Sequence, residues 1–102
     1  MIDFANSALD VYNAALETVN HIGSVVVKNS NDLNVRAKVK KGLGTAWEPV
    51  YLSISVVQLA DRTRLLAVSE QTQTPNLPDQ RDEALKVFKD FMQRRKELTI
   101  LD

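Results

Sequence analysis

Cysteine is absent from the 102 residues. Disulfides, thiolate catalysis and Cys-ligated zinc are excluded with it, while the redox compartment stays open. Histidine occurs once, as His21. A catalytic or metal role would need partners that its neighbour Asn20 does not supply, so His21 reads as a favourable charge near a helix C-terminus. Net charge is also missing. Thirteen basic residues balance thirteen acidic ones, and no global field favours nucleic acid or a membrane surface. No apolar run approaches the roughly 20 residues needed to cross a bilayer. Met1 to Asp10 carries no basic cluster followed by an apolar segment, so no secretory signal is expected, and a cytoplasmic location is the default expectation. Glycine is scarce. Gly42 and Gly44 lie between two strands rather than before a helix, which makes a hairpin connection and no phosphate loop. No serine occupies a strand-to-helix nucleophile turn. Catalysis, cofactors and metals are therefore not expected.

What is present is globular. A hydrophobic fraction of 44% and a charged fraction of 25% suit one ordinary domain spanning 1–102. The pattern is clearest at Leu33–Lys40, where Leu33, Val35, Ala37 and Val39 alternate with Asn34, Arg36, Lys38 and Lys40. That period of two marks a half-buried strand. Val50, Leu52, Ile54 and Val56 repeat it, with Tyr51, Ser53, Ser55 and Val57 on the opposite side. A sheet with one dry face and one largely polar face is implied.

The remaining elements read as cover and continuation. Phe4, Ala8, Val11, Tyr12, Ala15, Leu16, Val19 and Ile22 fall at helical spacing and predict a helix over Phe4–Asn20. Ser7 with Asp10, or Asp3, or Asn6 supplies its N-cap, and Gly23 stops it in the manner usual at helix C-termini. Val25–Val27 is a first strand, turned by Asn29–Asp32 into Leu33–Lys40. A connection over Lys41–Pro49 leads to a strand over Val50–Leu59, and Ala60–Thr63 turns it into a fourth over Arg64–Glu70. Leu65-Leu-Ala-Val68 is apolar at successive positions and leaves two facings open. Leu65, Ala67 and Ser69 inward keeps Arg64 and Glu70 off the core. After a loop over Gln71–Pro78, Asp79 caps a helix over Gln80–Leu98. Ala84, Val87, Phe88, Phe91 and Leu98 form its stripe, with Leu85 and Met92 at the flanks. Asp79, Asp82 and Glu83 sit in its first turn, where the helix dipole favours acids without any metal.

The order is α-β-β-β-β-α. Short connections make the sheet a four-stranded antiparallel meander with both helices on one face, a two-layer α+β sandwich. The predicted shared core is Val19, Val35, Val39, Leu52, Ile54, Val87, Phe88 and Phe91. With its Ala-rich first helix, the strand Leu33–Lys40 and the Thr63-Arg64 turn before the fourth strand, the chain resembles small bacterial domains of unknown function. One group of these is often found as lipoproteins, and this chain lacks the lipobox cysteine. The resemblance implies the fold and no chemistry.

Two features bear on function. The outward sheet face carries Lys28, Asn34, Arg36, Lys38, Lys40, Tyr51, Ser53 and Ser55, so it is expected to be open and basic with one aromatic. Trp47, beside Glu48, either covers an edge of the core or anchors an interaction. The expected function is a non-catalytic protein-interaction module acting through its sheet, with a protein partner or a second copy of itself. One alternative is a weak single-stranded nucleic-acid binder using Tyr51 and the basic strand. Another is a carrier of a small apolar ligand held between sheet and helices.

Overall fold

The computed structural model describes residues 1–39, 50–70 and 78–101, with side chains from Arg81 onward in the last stretch. The elements are β1 (Ile2–Phe4), α1 (Ala8–Ile22), β2 (Gly23–Asn29), β3 (Asn34–Val39), β4 (Val50–Gln58), β5 (Thr63–Ser69), α2 (Pro78–Gln93) and β6 (Ile100–Leu101). The fold is α+β, as expected, but among the described residues the sheet has six strands in the order β2-β3-β4-β5-β1-β6. Every pairing is antiparallel. The expected meander corresponds to β2–β5. A short strand at each end of the chain extends it past β5, so the predicted element order is corrected to β-α-β-β-β-β-α-β.

Phe4, expected to open the first helix, instead lies in β1 and is completely buried. Ile2 and Phe4 point to the core and Asp3 points away, the alternation of a strand. Asn6 then ties the two termini together. Its side-chain amide donates to the Glu97 carbonyl at 2.8 Å and its Oδ1 accepts from the Thr99 N–H at 2.7 Å. Those bonds deliver β6 to β1. Ser7 is the N-cap of α1, its hydroxyl accepting from the Asp10 N–H at 3.2 Å. The Ala8 N–H, another donor of the first turn, reaches Gln58 Oε1 on β4 at 3.0 Å.

Gly23 ends α1, as expected, and starts β2 in extended backbone, at a φ of −177°. A missing Cβ is what the site requires, because one placed there would lie 1.8 Å from the Lys38 carbonyl oxygen. The turn after β2 is built on Asn29, whose Oδ1 accepts from the N–H groups of Asn31 and Asp32. Leu33 closes that turn at a φ of 55°, in the left-handed region.

One core holds both helices to one face of the sheet. Val19, Val35, Val39, Leu52, Ile54 and Phe88 are buried in it as expected. On α2 the buried line is Ala84, Phe88 and Met92, at steps of four, and Val87 and Phe91 pack on it half-buried. The stripe is thus rotated from the predicted one, and Met92 moves from flank to centre. There it accepts from the buried Thr18 hydroxyl at 3.3 Å. The helix ends at Gln93 rather than Leu98, because Leu98 turns inward before β6. On β5, Leu65 is buried while Leu66 and Val68 are exposed, the facing that keeps Arg64 and Glu70 off the core.

Candidate functional site on the outer sheet face

Cross-strand register arranges the outward residues in rows. The middle row reads Val27, Arg36, Ser53, Val68 from β2 to β5. On one side of it lie Asn29, Asn34, Ser55 and Leu66. On the other lie Ser24, Lys38 and Tyr51, and the row is completed by Glu70, whose N–H donates to the Tyr51 carbonyl at 2.8 Å. Asn34, Arg36, Lys38, Tyr51, Ser53 and Ser55 are therefore brought together as the sequence suggested. Lys40 and Trp47 lie outside the described residues.

Lys28 is not part of this face. Register shifts between Val25 and Val27, a β-bulge at Val26, and Lys28 pairs with Val35 on the side the helices cover. The extra residue inverts the inside-outside alternation for the rest of β2. It also turns Val27 outward beside Arg36, where it is 61% exposed.

Arg36, at the centre of the expected basic row, is paired within the fold. Arg36 Nε lies 3.0 Å from both carboxylate oxygens of Glu70, two strands away. Its guanidinium carbon sits 4.5 Å from the centre of the Tyr51 ring. One face of the only outward aromatic of these rows is thus occupied by a cation within the same chain. The far margin is compensated in the same way. Asp3 on β1 accepts from Arg64 at 2.9 and 3.1 Å and from Arg62 at 3.2 Å. The hydrogen bond from Arg64, reinforced by Arg62, holds the Asp3 carboxyl down at about 2. Both guanidiniums are raised in turn, and Arg62 also pairs with Asp61 at 3.3 Å.

Between these ion pairs the face also exposes apolar side chains. Val68 is 58% exposed, and Val26, Val57 and Leu66 each stand about two-fifths exposed. Apart from Val57 on β4, the exposed apolar residues fall into two strips, Val26 and Val27 on β2 and Leu66 and Val68 on β5, with Arg36, Ser53 and Ser55 between them. Alternation alone placed Val57 on this side, and Leu66 and Val68 there under the facing of β5 that keeps Arg64 and Glu70 off the core, but it turned Val27 inward. The signal was nonetheless there, since apolar residues at successive positions of a strand imply interest in burial on both faces.

Other clusters are structural. His21 stacks edge-on against Phe91 at a centroid distance of 4.8 Å. Arg95, just past the end of α2, binds Glu17 of α1 and Glu97, and donates to the Thr18 hydroxyl at 3.4 Å. Among the described residues no group of three or more His, Cys, Asp or Glu side chains is placed to hold a metal ion. No helix among them is long and apolar enough to cross a membrane. No family model matches the chain, and no curated protein shows significant similarity to it.

Proposed function

We propose that this chain is a non-catalytic protein-interaction module whose working surface is the outer face of the sheet. One observation carries this reading. The face exposes Val27, Leu66 and Val68 while Arg36 and Asp3 are already paired within the chain. Exposed apolar side chains beside charges that are already paired are a feature of protein-binding surfaces. A phosphate chain would instead need Arg36 released from Glu70 and the Tyr51 ring uncovered before a base stacked on it.

The test is site-specific photocrosslinking in the cell of origin. A photoreactive residue at position 68 is expected to give one discrete adduct, and the same residue at Gln93 on the exposed side of α2 none. Equal labelling at the two positions, or none at 68, overturns the reading. An adduct to nucleic acid rather than protein at 68 replaces it with the single-strand-binding alternative.

A further inference from the structure

Resting on that reading, we infer that the outer face takes a second copy of this chain, packed sheet on sheet about a two-fold axis parallel to the strands between β3 and β4. Such an axis reverses the strand order and keeps each residue at its own height. The rows then meet themselves backwards. Val27 of one copy falls over Val68 of the other, and Arg36 over Ser53, following the middle row Val27, Arg36, Ser53, Val68. In the next row Lys38 falls over the Tyr51 ring of the other copy, one strand from its Glu70. Lys38 is the one cation of these rows brought towards another, the Arg36 stacked on that Tyr51 ring, and the Glu70 carboxylate already bound to Arg36 lies beside both. The apolar strip on β2 covers the apolar strip on β5, twice, by symmetry.

The perpendicular in-plane axis through the same row does the opposite. It keeps each strand over itself and reverses heights, so Arg36 lies on Arg36, a like-charge contact. Charge pattern and apolar pattern therefore select one arrangement, and it belongs to the aligned class of sheet packings, whose strands cross at about 30°. The bulge at Val26 has a purpose in this arrangement, since without it Val27 would face the helices and no apolar residue of β2 would stand opposite Val68 of the other copy. Four strands at about 4.8 Å spacing and six residues at about 3.3 Å give a footprint of roughly 20 by 20 Å. That is small beside the ~800 Å² per partner of a standard interface, so the dimer is expected to dissociate in the micromolar range.

Sedimentation equilibrium from about 5 µM to 500 µM brackets such an affinity. The expected mass rises with concentration towards twice the 11.4 kDa of one chain. Val68→Asp should leave the circular dichroism spectrum intact and hold the mass at one chain throughout, as should Val27→Asp. Register is tested by the double variant Val27→Cys, Val68→Cys in a chain that has no other cysteine. Within one copy these positions are three strand spacings apart, about 14 Å, too far for a disulfide. Mild oxidation should give a covalent dimer in which position 27 is bonded to position 68. A protein monomeric at 500 µM, a dimer indifferent to Val68→Asp, or bonds joining only like positions each overturns the inference. A monomeric purified protein that still gives the discrete protein adduct at position 68 would overturn the self-pairing alone and leave the interaction module standing.

Discussion

Replacing Gly23 by alanine tests the junction of α1 and β2 through the sign of its effect. At an unstrained position Gly→Ala stabilises by about 0.4–1 kcal/mol, because the unfolded chain loses freedom. At position 23 the new methyl would stand 1.8 Å from the Lys38 carbonyl oxygen, 2.8 Å from the carbonyl carbon and 3.0 Å from the Val39 Cα. These are backbone atoms of the neighbouring strand and cannot rotate aside. Reaching even a tight contact means parting β2 from β3 locally by about 1.2 Å. An N–H···O bond of about 2.9 Å then stretches past about 4 Å and is lost. Two ladder bonds at about 1 kcal/mol each, with overpacking strain of about 1–3 kcal/mol, give a loss of about 3–5 kcal/mol. That is a large share of the roughly 5–15 kcal/mol that holds a domain of this size together. Urea unfolding followed by far-UV circular dichroism should show the midpoint falling by more than about 1 M at an unchanged slope. A midpoint unchanged or raised would mean that the two strands do not approach at Gly23, and the argument would fail.

Three further outcomes are expected. Phe88→Ala empties a completely buried site between α2 and the sheet and should cost about 3–5 kcal/mol in the same assay; a loss below about 1 kcal/mol would mean that α2 is not docked there. Asp3, lowered from 3.8 to about 2, contributes stability present above its unfolded value and lost as pH falls towards the folded one. Asp3→Asn should therefore sit below the wild-type melting temperature at pH 6 and converge on it between about pH 4 and 2, whereas a gap independent of pH would refute the ion cluster. Reversing both Arg36 and Lys38 to Glu sets an exposed carboxylate against Glu70, yet folding should suffer by no more than about 1 kcal/mol. A submicromolar, salt-sensitive affinity of the unmodified chain for single-stranded RNA, lost in that double reversal, would point to the nucleic-acid alternative instead.

The parts of the fold legible in the sequence were those whose period spans several residues. Val35, Ala37 and Val39, then Val50, Leu52, Ile54 and Val56, gave two strands and their facing, because a half-buried strand must alternate. The terminal strands escaped for the complementary reason. Ile2-Asp3-Phe4 and Ile100-Leu101 are too short to express a period, and they pair only because Asn6 and the turn before β6 bring the ends of the chain side by side. Phe4 also fitted the helical spacing of Ala8 and Val11, and tertiary pairing overrode it. On the candidate face, alternation placed Asn34 to Lys38 and Tyr51 to Ser55 correctly. It could not show that an acid two strands away answers Arg36, since Glu70 is distant in sequence and belongs to no local pattern.

Lys28 is the instructive failure, because the same seven residues of β2 support two different surfaces. Unbroken alternation puts Val25 and Val27 inward and Ser24, Val26 and Lys28 outward, a strand that adds charge to an already basic face. One inserted residue at Val26 exchanges these roles beyond the bulge. Lys28 moves to the helix side, where β2 runs past the helices and its ammonium still reaches water on an exposed strand end. Val27 takes the outward place, and the edge strand that would have been a solvated, lysine-guarded margin becomes an apolar one. A bulge leaves an unpaired residue in the ladder, so it persists where something else is gained by the bend. On this face the gain is a second apolar strip, set across Arg36, Ser53 and Ser55 from Leu66 and Val68. A strip of that kind is stabilising only when something covers it.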